Sequence, residues 1–321
     1  MEVGKLNFKI NKNRFKNTPM SFFRIFFLLS FGYVVLYPLL YMISRAIIAP
    51  GDAIDPTIVW VPNNFSFENF EIAYKAMEYG TTFIRTLLVQ VFSGCIEVFT
   101  CAVVAYGFAR FDVPCKNLLF MLVLITMIVP SQAIIVPLYL NYNQLDFLGV
   151  LGLLNKIGLP DFRLNILNTG WTFYLPSMFA IGLKSGLFIF IYRQFFKSFP
   201  KELEEAASID GAGPIRVLFY ILFPASGVAF LCVFVFSLIA HWNDYYLSVM
   251  FFSDNYPLSV RLSEIETHIK YGGFSDMSLT TEARSNIAIT ACLLFLLPIL
   301  ILYLFLQRKF IESVESVGIV G

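Results

Sequence analysis

Charge is what this 321-residue chain has least of: Asp, Glu, Lys and Arg together make up only 14% of it. Soluble domains carry roughly a quarter, so a molecule faced with water on all sides is excluded. Cysteine is scarce too, five in number with no C-x-x-C pair, which argues against a disulfide framework or a zinc site. Cys95, Cys101, Cys232 and Cys292 fall in apolar runs, where a thiol packs as a small hydrophobe. The only two histidines, His241 and His268, stand apart with no H-E-x-x-H and no clustered acids, so neither metal binding nor proton relay is expected of them. No G-x-x-x-x-G-K-[ST] run is present, and therefore no P-loop to cradle ATP phosphates. What abounds is apolar: 58% of residues, 17% aromatic, 36 Phe and a mean hydropathy of +0.72. A soluble enzyme, a disordered chain and a nucleic-acid binder are excluded together.

A helix needs roughly 20 mostly apolar residues to cross the hydrocarbon layer. Six segments qualify, at about 25–43, 83–108, 117–140, 172–192, 219–242 and 287–306. The expected fold is an all-α polytopic membrane protein with six transmembrane helices: a tail 1–24, a transmembrane domain 25–306 and a tail 307–321. The first span is too long for a signal-peptide core and is read as retained. Orientation follows from the basic residues. Lys5, Lys9, Lys12, Arg14, Lys16 and Arg24 precede the first span. Arg110 and Lys116, then Arg193, Lys197, Lys201 and Arg216, then Arg308 and Lys309 fall on the same side. These are more than half of the 23 Lys and Arg residues, and they place both termini in the cytoplasm. The opposite loops hold Asp52, Asp55, Glu68, Glu71 and Glu78. In the first of them, Trp60-Val61-Pro62 and the stretch Phe65 to Phe70 form either an interfacial anchor or a contact for a partner.

The cytoplasmic loop at about 198–216 is different. Pro200 suits a helix start, and Glu202, Glu204 and Glu205 favour the positive end of the helix dipole. Good helix formers run to Ile209, Gly211 can supply a left-handed stop, and Gly213-Pro214 opens a second helix leading into span five. The small Ala206, Ala207 and Ala212 leave a low knob that fits a groove in another protein; shape alone favours a solvated interhelical loop.

These residues resemble a family. Glu205-Ala206-Ala207, Asp210-Gly211-Ala212 and Ile221-Leu222-Phe223-Pro224 are similar to the EAA loop of bacterial ABC importer permeases, with Gly211 four residues beyond Ala207 and nine residues, 212–220, between Gly211 and Ile221. Phe223 stands where that family usually has Leu. Ala105-Tyr106 with Ala109-Arg110-Phe111, Met127 to Pro130, Ile135 to Tyr139, Arg193 to Phe196, Trp242-Asn243-Asp244 and Gln307 to Phe310 resemble the carbohydrate-uptake branch, over about residues 83–321. Two places depart from it: Arg85-Thr86-Leu87, where Asn-Ser/Thr-Leu is common, and a final Gly318 to Gly321 lacking the usual Lys. The resemblance implies a type I importer permease, a transport subunit and not an enzyme, in a bacterial cytoplasmic membrane. It implies a second homologous permease, two ATP-binding cassette subunits and an extracellular solute-binding protein as partners. ATP and Mg enter through the partner ATPase, and this chain binds no cofactor. Glu205, Ala206, Ala207, Asp210, Gly211 and Ala212 would form the element that docks on the ATPase.

Ionisable groups at bilayer depth are costly and usually face a bundle interior or cavity. Glu97 in span two and Lys184 in span four either line the pathway, pair with each other, or are satisfied by other helices. Trp242, Asn243, Asp244 and Tyr245 end span five toward the outside, as a sugar-stacking surface or as an aromatic belt with a helix cap. Pro130, Pro137 and Pro176 are candidate kinks. An ion- or proton-coupled secondary transporter would account for Glu97 and Lys184, but such proteins often carry paired inverted repeats, and none is visible here; an ABC importer permease for a non-sugar solute is the other alternative.

Overall fold

The computed structural model describes residues 19–58, 60–146, 152, 163–274 and 279–318. The basic residues of the tail up to Lys16 and the final Ile319 to Gly321 lie outside them. The described residues are helical, with two isolated antiparallel bridges, Ile48–Phe65 and Leu145–Leu164. Helix α1 (Pro19–Ala46) precedes a loop and the short α2 (Glu68–Ala76). Helix α3 (Tyr79–Arg85) runs through a π-helical turn, Thr86–Val91, into α4 (Phe92–Arg110). Then come α5 (Lys116–Ile128), α6 (Ser131–Asn143), α7 (Trp171–Met178) and α8 (Ser185–Ser198). Helix α9 (Lys201–Ile209) is followed by α10 (Pro214–Val217), a π-helical turn Leu218–Leu222, α11 (Phe223–Ala225) and α12 (Gly227–Trp242). Short helices α13 (Tyr246–Phe251), α14 (Leu258–Ser263) and α15 (Ile265–Tyr271) lead to the long α16 (Thr281–Gly318).

Of the six predicted crossings, the described residues show three outright and up to five in all, by length and composition. Three helices are long and apolar enough to span a bilayer: Ser21–Ala46, Tyr79–Arg110 and Thr281–Lys309. Two more crossings result if each bent pair counts as one, α5 with α6 at 101° and the 214–225 segment with α12 at 83°. The expected span 172–192 is broken between α7 and α8. Each break has a local cause. Val129 precedes Pro130 and is extended (φ −69°, ψ 118°), as steric clash with the proline ring requires. Pro224 has no N–H to continue the ladder, and the π-helical turn immediately before it absorbs the mismatch. Helix α7 stops in a Schellman motif, with the Ala180 amide on the Ser177 carbonyl (3.2 Å) and the Ile181 amide on the Pro176 carbonyl (2.9 Å). Ala180 takes the left-handed position there (φ +54°), and Lys184 takes another (φ +62°) just before α8. An average over hydropathy registers neither.

Helix α4 is the axis of the bundle. Cys101, Ala102 and Ala105 on it are fully buried and small, so α8 approaches closely and fills the space with Phe188, Tyr192 and Phe196. Leu222 and Val233 from the α10–α12 segment complete this core. A second cluster joins α2, Trp242, α15 and α16, through Met77, Ile269 and Ile287. Helix α1 lies outside both cores and exposes Phe22, Phe26, Leu29 and Val34 along its length.

Candidate functional site

Two constructions stand out, one on the surface at α9 and one at the centre of the bundle. At the surface, the Glu202 and Glu204 carboxylates fall in the first turn of α9, directly after extended Pro200. The helix ends in the same Schellman geometry as α7: the Gly211 amide reaches the Ser208 carbonyl (3.1 Å) and the Ala212 amide reaches Ala207 (2.9 Å). Gly211 has φ +83°, a conformation for which glycine carries no Cβ penalty. The expected helix, sharp turn and second helix over 201–217 are all present. Ala207 and Ala212 pack half-buried on the α4–α8 core, while Glu205, Ala206, Asp210 and Gly211 face outward. Leu203 (51% exposed), Ile209 (86%) and Ile215 (74%) leave apolar surface on this element uncovered.

The sequence reading assigned no role to what anchors it. Arg110, the last residue of α4, forms an ion pair with Glu204 of α9, and both side chains are largely buried. The same guanidinium donates to the Phe199 carbonyl (3.0 Å) in the α8–α9 link. Arg110 stood in the Ala-Arg-Phe string, and Glu204 read only as a dipole partner. Their separation in sequence hides the contact.

At the bundle centre, Glu97 of α4 is fully buried. It does not meet Lys184, whose side chain is exposed. Instead the Ser185 hydroxyl donates to Glu97 Oε1 from the start of α8, and His241 Nε2 of α12 lies 2.7 Å from Glu97 Oε2. His241 is 1% exposed; isolated in sequence, it is paired in space. Its Nδ1 is 3.3 Å from Gln90 Oε1. Gln90 Nε2 donates to Ser248 Oγ (2.8 Å), and Ser248 donates through Oγ (2.8 Å) and its amide (2.9 Å) to Asp244 Oδ2. The π-helical turn Thr86–Val91 carries Gln90 into this chain, a common use of such turns. With the Gln90 amide nitrogen committed to Ser248, its oxygen requires a proton on His241 Nδ1. Glu97 and His241 are then either carboxylate with imidazolium or carboxylic acid with neutral imidazole. Both forms have zero net charge, which is what a buried pair at bilayer depth needs. Gly182 passes so close that a Cβ there would sit 3.0 Å from Glu97 Oε1. The polar chain therefore ties together α4, the break in the fourth crossing, α12 and the segment after it.

The other pathway candidates separate. Trp242 is buried between the rings of Phe83 and Phe295 and donates to the Phe295 carbonyl (3.2 Å), so neither face is open for stacking. Asn243 is exposed and caps α12 through the Ile239 carbonyl (2.9 Å). Asp244 is buried, accepting from Ser248 at the start of α13. Tyr245 is exposed, edge-on to Tyr246 at 5.5 Å. His268 meets Arg261 Nη1 (2.8 Å) and Glu264 (3.5 Å). Arg261 in turn reaches Glu78 (3.1 Å), linking these outer-loop helices. No group of three metal-ligating side chains occurs among the described residues.

Known proteins place this architecture. The chain is 28% identical over 287 residues to the melibiose/raffinose/stachyose import permease protein MelC of Bacillus subtilis, covering 88% of this chain and 91% of that protein. It is 25% identical to the arabinooligosaccharides transport system permease protein AraQ of Halalkalibacterium halodurans, over 83% of each. Its fold matches that of a chain in the crystal structure of a bacterial ABC transporter for import of the acidic polysaccharide alginate. That match has a TM-score of 0.71 and 18% identity, and covers 91% of this chain and 96% of the other. Residues 99–315 match the model of one family. The chain belongs to the binding-protein-dependent transport system inner membrane components.

Proposed function

We propose that this chain is the transmembrane permease subunit of an ATP-driven, binding-protein-dependent importer of sugars or oligosaccharides, coupled to a separate ATPase through α9 and the turn at Gly211. Its relatives carry raffinose-type sugars and arabinooligosaccharides, and that shared chemistry supports a carbohydrate cargo over an ion-coupled secondary transporter. It works in the bacterial inner membrane beside a second homologous permease, two ATP-binding cassette subunits and an extracellular solute-binding protein. ATP and Mg belong to the ATPase, and both termini of this chain lie in the cytoplasm. The observation that carries the coupling role is a rigid, outward-facing helix whose apolar Leu203, Ile209 and Ile215 are uncovered while its root is pinned by Arg110.

The geometry suggests how motion travels. A displacement of α9 acts through the Arg110–Glu204 pair on the end of α4 and through Phe199 on the end of α8. Thirteen residues separate Arg110 from Glu97, about 20 Å along a helix. Both α4 and α8 contribute to the Glu97 cluster, so a push at the surface reaches the point where α4, α8 and α12 are bonded. Reconstituting the chain with a second permease, an ATPase and a solute-binding protein, then measuring ATP hydrolysis with candidate sugars, tests the reading. Sugar-dependent stimulation is expected. Stimulation by an ion gradient alone, with no response to binding protein, would sink it.

A further inference from the structure

We infer that the cytoplasmic cavity between the foot of α5 and the end of α8 is a binding site for the phosphate headgroup of an anionic phospholipid. The cavity has a volume of about 500 Å³ and is lined by Asp112, Cys115, Lys116, Leu118, Arg193 and Lys197. Arg193 is the central observation. Its side chain is 7% exposed, its guanidinium lies 3.7 Å over the Phe120 ring, and its Nε has no hydrogen-bond partner. No carboxylate is within ion-pair distance of it among the described residues. A buried cation without a counter-ion is costly, and here two more cations are added: Lys197 experiences the like charges of both Arg193 and Lys116. The one acid in the lining, Asp112, is fully exposed and pairs with Lys116 at 3.8 Å, which leaves Arg193 and Lys197 without a carboxylate partner among the described residues.

The N-terminus of α5 also opens here through Lys116, Asn117 and Leu118, adding the positive end of a 13-residue helix dipole. The apolar surroundings select lipid over a free anion. Above the cavity, Leu118, Leu122 and Ile125 form an exposed stripe on α5 at helical spacing, along which an acyl chain can lie. Basic pockets between membrane helices on the cytoplasmic side are suited to anionic headgroups. The placement in the inner leaflet rests on the proposed topology.

The test uses the full chain with its co-purifying subunits in detergent. Native mass spectrometry with dioleoyl-phosphatidylglycerol, dioleoyl-phosphatidylcholine and inorganic phosphate gives relative affinities. Cys115, the exposed cysteine at the cavity, reports occupancy through its rate of maleimide labelling. Phosphatidylglycerol is expected to bind preferentially and to slow Cys115 labelling, with phosphatidylcholine and phosphate inactive. The pair Lys116→Gln with Lys197→Gln leaves the buried Arg193–Phe120 stack in place. It should weaken phosphatidylglycerol about 25-fold, at about fivefold per cation. Equal binding of the two lipids, or an unchanged preference in that variant, overturns the site. Protection of Cys115 by inorganic phosphate alone overturns the lipid as its source. A phosphatidylglycerol effect seen only after the partner subunits are stripped away assigns the cavity to a partner carboxylate and overturns it as well. Impermeant maleimide on sealed vesicles separates the topology: labelling of Cys115 from the external face refutes the cytoplasmic placement, while the same lipid titration still judges the site.

Discussion

At the scale of single residues, the Glu97–His241 pair is the most consequential feature, because each side chain is tolerable in the bundle only through the other. Removing the imidazole strands a carboxyl group with the Ser185 hydroxyl as its remaining side-chain partner. Breaking a buried pair from one side typically costs about 3–5 kcal/mol. Removing the charge from Glu97 is gentler, since a carboxamide still accepts from Ser185 and donates to a neutral His241 Nε2; the cost is about 1 kcal/mol. We therefore expect His241→Leu to lower the thermal midpoint of the purified protein sharply and Glu97→Gln to lower it little. Similar losses in both would show that the charge, and not the hydrogen-bond pattern, holds the site. Because Glu97 is sealed from any cavity, Glu97→Gln is also expected to leave the apparent KM for sugar uptake unchanged. A raised KM would return this residue to the substrate pathway. Gly182→Ala pushes a methyl group to 3.0 Å from Glu97 Oε1 and should cost about 1–3 kcal/mol by overpacking.

At the scale of elements, α9 matters through its two ends, the Arg110–Glu204 root and the Gly211 turn. The root is largely buried, so the pair is expected to show a coupling energy of about 1–3 kcal/mol in a double-mutant cycle of Arg110→Ala and Glu204→Gln. Thermal unfolding measures that energy, and sugar-stimulated ATP hydrolysis in the assembled transporter measures its use: each single variant should lose stimulation while remaining in the membrane. Additive stabilities would mean the pair is a bystander. At the other end, the space around a Cβ on Gly211 is open, so Gly211→Val meets no clash and suffers only the left-handed backbone cost of about 1–2 kcal/mol. The expected result is a folded protein in which ATP hydrolysis and uptake are uncoupled. Wild-type uptake and stimulation in Gly211→Val would remove the turn from the coupling role. This helix-turn-helix was legible in advance because its signals, Pro200, the early acids and Gly211, all act within ten or so residues. The break between α7 and α8 was signalled only by Pro176 as a candidate kink; the turn itself was not legible, since Ala180 and Lys184 adopt positive φ without being glycines.

At the scale of the whole molecule, what could be read from the chain was helical class and family resemblance; what could not was any bond between distant helices. Glu97 and His241 are 144 positions apart, and α12 comes close to α4 at Gly94, whose carbonyl accepts from Ser237 (3.1 Å). Trp242 illustrates the same limit in reverse: an aromatic at a helix end reads as interfacial, yet the outer cluster of α2, α15 and α16 closes over it. The join between α1 and the rest of the bundle is a further case. Most of α1 is exposed along its length, but at its outer end the Asn69 amide of α2 reaches the carbonyls of Arg45, Ala46 and Ile48, the last at 2.7 Å. Those carbonyls end α1 and have no following helical turn to bond. One fully buried side chain thus satisfies the terminus of a peripheral helix. Replacing it with Leu keeps a similar volume but leaves buried acceptors unpaired, at about 1–3 kcal/mol. Asn69→Leu should lower the thermal midpoint and hasten proteolysis in the first outer loop, near Trp60, as α1 loosens. Coupling should survive once the protein is assembled, because α9, Arg110 and the Glu97 cluster lie on other helices. Loss of sugar-stimulated ATP hydrolysis in an Asn69→Leu transporter that remains assembled would mean instead that α1 takes part in the transport motion.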